Sequence, residues 1–218
     1  MSVLQQLQST LAPSQTQLVA VSKTKPAEQI LALYEEGQRL FGENRVQELR
    51  WKYEELPKDI EWHLIGQLQS NKVKYIAPFV AMIHSIDSVK LIREVNKQGA
   101  KSERVVPILL QFKIAEEDTK AGFEWSTIEA FLAENDLQAF PHVRICGVMG
   151  MATFTDDMQQ VRREFKQLKQ YFDRLKEQYF AAEDSFQEIS MGMSGDYRIA
   201  IEEGSTMVRI GSLLFGAR

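Results

Sequence analysis

Short runs of β-branched and aliphatic residues recur along the chain at intervals that leave room for a helix between them. Eight such runs read as strands, near residues 18–23, 39–43, 61–66, 79–86, 105–112, 143–150, 186–191 and 206–210. Nearly all are followed by an amphipathic or polar stretch. Val46, Leu49, Tyr53 and Leu56 line one helical face, and Val161, Phe165, Leu168, Phe172, Leu175 and Tyr179 line a longer one. Steps of three and four put these side chains on one side of a helix, where they pack on a sheet. A coiled-coil seam is the other reading of the longer stripe, but one helix of about 25 residues is too short to require it. Strand and helix alternate without a Gly/Pro-rich linker, which predicts a parallel sheet that closes on itself. The expected fold is α/β, a single (β/α)8 TIM barrel forming one domain over residues 1–218. A doubly wound open sheet competes, but the first strand runs into Ser22-Lys23-Thr24-Lys25-Pro26 instead of a glycine-rich turn. Gly211 to Ala217 has two glycines at Walker A spacing, with Ala217 where that motif needs its lysine.

Composition narrows the partners. The 218 residues carry 26 basic and 30 acidic side chains, a formal charge of -4, with no basic stripe interleaved with aromatics, so nucleic acid is not an expected partner. The single cysteine, Cys146, excludes an intramolecular disulfide framework and any cysteine-based metal cluster. It lies in the apolar run Val143 to Val148 and reads as a buried strand residue. No signal peptide and no membrane-length apolar stretch are visible, so the expectation is a soluble cytoplasmic chain with no membrane partner.

Ligands of such barrels sit at the C-terminal ends of the strands. At the end of the first run, alternation puts Val19, Val21, Lys23 and, if the strand lasts that far, Lys25 on one face, with Leu18, Ala20 and Ser22 on the other. An amine that continues an apolar row, with a second cation nearby, loses preference for its charged form and becomes a nucleophile toward carbonyls. For an arbitrary lysine, a solvated strand end is the commoner outcome. Ser190 to Gly195 follows the seventh strand and Met207 to Ser212 ends the eighth, placing small, donor-rich sequences where barrels hold phosphate. Glycines let N–H groups approach a phosphate and serines add hydroxyl donors, although ordinary turns use the same residues. Arg209 shares the alternation of Met207 and Gly211 and needs an acceptor, either a pyridine nitrogen or a salt bridge to Glu202 or Glu203. Asn44 is either the N-cap of a helix from Arg45, with Gln47 completing a capping box, or a hydrogen-bond partner for a ligand. His63 and His84 stand in strands among apolar neighbours and read as interior or rim residues; His142 follows Pro141 in a loop, and no histidine pair has metal spacing. Met149 and Met151 read as packing at the barrel mouth.

Taken in order, the segments Ala20 to Pro26, Phe41 to Asn44, His63 to Lys72, Ser190 to Ser194 and Gly204 to Gly211 closely resemble the pyridoxal phosphate homeostasis protein family, over essentially the whole chain. The resemblance implies a barrel of PLP fold type III, like the N-terminal domain of alanine racemase, with pyridoxal 5'-phosphate (PLP) bound as an internal aldimine. It implies Lys23 as the Schiff-base lysine, Ser190, Gly192, Ser194 and Gly211 in the phosphate site, and Arg209 facing the pyridine nitrogen. Met193 and Ser212 join the cofactor-binding set, and Asn44 and Met82 the surroundings of the ring. Two features depart from the family pattern. Gly195 intervenes before Asp196, where many members place an acidic residue directly after the serine, and the chain stops at Arg218, directly after the last strand and Phe215-Gly216, which leaves no room for a C-terminal helix of any length; the expected barrel also lacks a C-terminal β-domain.

PLP acts as an electron sink, and an arginine opposite its ring nitrogen disfavours protonation there and makes the sink shallower. Racemisation also needs an acid/base on each side of the substrate carbon, and the alanine racemase pattern draws the second from its separate β-domain. The resulting expectation is a monomeric PLP carrier with no established catalytic activity. It would hold the cofactor, exchange it with amines, amino acids or apo-enzymes, with Lys25 as a second amine, and maintain vitamin B6 homeostasis. The alternatives are a racemase-like PLP enzyme completed by a partner subunit and a cofactor-free Schiff-base aldolase acting through Lys23.

Overall fold

The computed structural model describes residues 1–116, 121–134 and 137–216, so Ala217 and Arg218 lie outside the described residues. Eight parallel strands close into a barrel in chain order: β1 (Gln17–Val21), β2 (Leu40–Glu43), β3 (Glu61–Leu64), β4 (Met82–Ile86), β5 (Val106–Gln111), β6 (Val143–Met149), β7 (Glu188–Ser190) and β8 (Met207–Ile210). Around them run α1 (Val3–Leu11), α2 (Ala27–Glu35), α3 (Val46–Glu55), α4 (Val89–Lys101), α5 (Trp125–Glu134), α6 (Met158–Gln178), α7 (Tyr197–Glu202) and α8 (Ser212–Phe215). The predicted strands are all present, and the two predicted apolar stripes lie on α3 and α6.

Side-chain parity along each strand sorts residues between two environments. Leu18, Ala20, Phe41, Trp62, Leu64 and Val208 belong to the apolar layer between sheet and helices. The residues of opposite parity, among them Val19, Gly42, His63, Arg209 and Ser190, which lies between the cluster members Ile189 and Met191, therefore face the barrel axis. A small separate cluster of Leu109, Cys146 and Met149, with Met82 packed against it, fills part of that interior. Cys146 is buried there, and burial raises its thiol to about 11, which keeps it an inert packing group.

The segment after β3 and the N-terminus both depart from a regular repeat of strand and α-helix. The segment after β3 forms a 3-10 helix, Ser70–Tyr75, ahead of Pro78. At the N-terminus, Ser2 and Gln5 form a capping box for α1, an element that the eightfold strand count does not include. Leu4, Leu7 and Leu11 of α1 are buried, and the helix lies against β1 and α8.

Candidate functional site

At the C-terminal ends of the strands a cavity of about 630 Å3 opens among the loops. Val21 and Lys23 line it from the β1 turn, Asn44 from β2, the loop Met151–Asp156 from β6, Met193–Asp196 from β7, and Arg209, Gly211 and Ser212 from β8. Parallel strands explain the convergence, because every strand end of one polarity meets at one rim.

Strand β1 ends at Val21, two residues earlier than its sequence pattern suggests. Ser22 N–H still donates to Gly42 O, but Lys25 N–H turns back to Ser22 O, and Thr24 adopts φ +65. This tight turn separates the two lysines. Lys23 is half-buried on the cavity wall, and its amine has no hydrogen bond or ion pair among the described residues. Lys25 is directed elsewhere, its Nζ donating to Phe215 O at 3.1 Å, and it is not on the wall.

Arg209 is buried inside the barrel, and Glu202 and Glu203 pair with Arg162, so the salt-bridge reading does not hold. Its Nη1 donates to Ser190 O (2.8 Å) and Ser190 Oγ (2.6 Å), and its Nη2 to Gly150 O (3.1 Å). Burial lowers the guanidinium to about 10, with Asp196 acting in the opposite direction. Beyond Ser190 the polar chain continues to His84 Nδ1 at 3.0 Å and from His84 Nε2 to His63 Nδ1 at 2.9 Å. A guanidinium only donates, so Ser190 accepts from it. The arrangement that leaves no hydroxyl hydrogen unbonded then has Ser190 donating to His84, and His84 Nε2–H donating to His63. Desolvation keeps both imidazoles neutral, His63 lowered to about 4 and His84 well below its ordinary value, which that assignment requires.

The loops after β7 and β8 complete the wall. The backbone N–H groups of Ser194, Gly195 and Gly211 have no acceptor among the described residues. Asp196, displaced one position by Gly195, still closes its loop by accepting Met193 N–H at 2.5 Å. Asn44 does not cap α3: Arg45 occupies the N-cap position without a side-chain bond, and Asn44 faces the cavity. Three of the residues implied by resemblance stand off the wall. Ser190 is fully buried with its hydroxyl engaged by Arg209 and His84. Gly192, at φ +94, admits the close approach of α7, where a Cβ would lie 2.5 Å from the Ala200 Cβ. Met82, half-buried, packs on the Leu109, Cys146 and Met149 cluster. Conversely, the Thr153–Asp156 loop lines the cavity although no motif in its sequence announces it.

Residues 3–218 match the family described as alanine racemase, N-terminal domain. Among its relatives, the pyridoxal phosphate homeostasis protein of Aquifex aeolicus is 42% identical over 202 residues, covering 92% of this chain and 86% of that protein. The chain belongs to the pyridoxal phosphate homeostasis proteins of this family. The Synechocystis family member is 36% identical and covers 100% of this chain and 98% of its own length. PipY of Synechococcus elongatus superposes with a TM-score of 0.91 without PLP and 0.88 with PLP bound, at 38% and 37% identity over 98% of both chains. Alanine racemase from Bartonella henselae shares the fold, with a TM-score of 0.71 at 16% identity over 99% of this chain and 57% of its own.

Proposed function

We propose that this chain binds PLP in the cavity at the strand ends, holds it through Lys23, and serves as a cytoplasmic, monomeric carrier in vitamin B6 homeostasis. When bound, PLP supplies an aldehyde that condenses with primary amines and a ring that withdraws electrons. The donor set of the cavity suits it. Lys23 offers the uncommitted amine, and Arg209, immobilised by two carbonyls and a hydroxyl, keeps N–H donors for a ring nitrogen. The unpaired N–H groups of Ser194, Gly195 and Gly211 suit a phosphate, with the Ser194 and Ser212 hydroxyls nearby. Asn44 stands within the same wall as a partner for a ring substituent.

The observation that carries the reading is the pairing of an unpaired lysine with a fixed, donor-only arginine in one cavity. A cationic Arg209 disfavours a second positive charge at the ring nitrogen and so restrains carbanion chemistry in favour of holding and releasing the aldehyde. PLP titration followed by borohydride reduction and peptide mapping tests it. The label is expected on Lys23 and should be lost in Lys23→Ala; label retained in that variant would overturn the assignment. Measuring turnover of D- and L-amino acids by the loaded protein separates the carrier from the racemase-like alternative, and sedimentation at the mass of one chain checks the monomer.

A further inference from the structure

Outside the barrel wall, on the opposite side of the β1 turn from the cavity, lies a charged cluster that the proposed function leaves unused. Lys52 of α3 is fully buried, and its ammonium donates to Ser22 O at 2.8 Å, Glu43 Oε1 at 2.7 Å and Glu48 Oε1 at 2.7 Å. The same Glu43 oxygen accepts the Ser22 hydroxyl at 2.6 Å, and the same Glu48 oxygen accepts Thr24 N–H at 2.5 Å. Both neighbours of Lys23 are therefore tied to carboxylates that Lys52 holds.

A role in stability alone is a poor account of this cluster. Removing an ammonium and a carboxylate from water is costly, and well-packed apolar side chains commonly do as well. Glu43 Oε2 is buried without a partner, so the cluster is incompletely satisfied. What the cluster does achieve is to hold a strained turn, with the β-branched Thr24 at φ +65, while leaving the intervening Lys23 amine free on the cavity side.

We infer that Lys52 is a positioning residue: through Glu43, Glu48 and the Ser22 carbonyl it clamps the backbone on both sides of Lys23 and so presents the amine to the cavity. The inference deepens the reading of Lys23 as the linking amine, yet its claim about the backbone can be measured without the cofactor.

In protein free of PLP, Lys52→Met and Glu48→Gln should each raise amide hydrogen exchange at Thr24 and Lys25 by about tenfold or more, while the β1 amides stay within about twofold of wild type. With PLP, the rate of borohydride-fixed attachment at Lys23 should fall about tenfold or more in Lys52→Met. Affinity for pyridoxine 5'-phosphate, which has no aldehyde, should stay within about twofold. Should Lys52→Met fail to fold, Glu43→Gln combined with Lys52→Met, which leaves no unbalanced charge between those two positions, and Glu48→Gln alone carry the same measurements. Unchanged exchange across residues 22–25, or equal loss of attachment and of pyridoxine 5'-phosphate binding, would overturn the clamp. Covalent label persisting in Lys23→Ala would instead refute the proposed function, and the exchange comparison would still decide the clamp.

Discussion

His63 shows what a single side chain in the barrel interior costs and contributes. It is buried with its Nδ1 on His84, and desolvation lowers it to about 4 from an ordinary value of 6.5. Between those values the unfolded chain binds more protons than the folded one, so stability present above about pH 7 is lost as the pH falls through 4. For His63 alone the full loss is of order 3 kcal/mol. Glu43 and Glu188 work in the opposite direction, since burial raises both carboxyls and their neutral forms favour the fold as acid is added. The informative quantity is therefore the difference between wild type and His63→Gln. Chemical denaturation from pH 7 to 4.5 should show a shallower loss in the variant, and parallel profiles would mean that His63 is not held neutral. At this scale the sequence was legible in part. Alternation placed Val21 and Lys23 on one face, but the chain from Arg209 through Ser190 and His84 to His63 was not visible, because its members come from four strands and only barrel closure makes them neighbours. Lys52 was hidden for a related reason: on a helix a lysine reads as solvated until its acceptors from β1 and β2 are known.

Among the elements, β6 and the helices mark where periodicity speaks and where it falls silent. The stripes on α3 and α6 were readable because an apolar face repeats every three to four residues. The 3-10 turn after β3 and the failure of Asn44 to cap α3 were not, since both depend on where the preceding strand stops. In β6 the register against β5 slips between Ile108 and Leu109, and Gly147 sits at φ +152. A Cβ at Gly147 would lie 1.8 Å from the Glu188 carbonyl oxygen, a contact that only backbone movement relieves. Gly37, at φ +99, has nothing within 4 Å of the same construction. Gly147→Ala should therefore destabilise by roughly 3 kcal/mol or more, combining clash and strain, while Gly37→Ala should cost only about 1–2 kcal/mol of backbone strain. Urea unfolding of the two variants measures the contrast. Equal losses would show that conformation, and not the approach of β7, dictates glycine in β6.

Over the whole molecule, closure in chain order is what turns separated segments into one site. The five segments carrying the family resemblance span residues 20 to 211, and several of them deliver side chains to one cavity because all strands share a direction. A closed sheet has no free edge to fray, so damage at one seam should be felt throughout. Beside the seam between β8 and β1, α1 packs against β1 and α8, and its Leu4, Leu7 and Leu11 join the same apolar cluster as the residues beneath α3 and α6. If α1 is part of that cooperative unit, Leu7→Ala should lower stability by about 2–5 kcal/mol, the range for truncating a buried leucine. Far-ultraviolet circular dichroism and tryptophan fluorescence should still report one coincident transition, although Trp51, Trp62 and Trp125 belong to α3, β3 and α5 and none to α1. An early loss of helical signal with fluorescence unchanged would instead make α1 an appendage, and the barrel would then have to hold its β8–β1 seam, and the Lys23 turn that follows β1, without it.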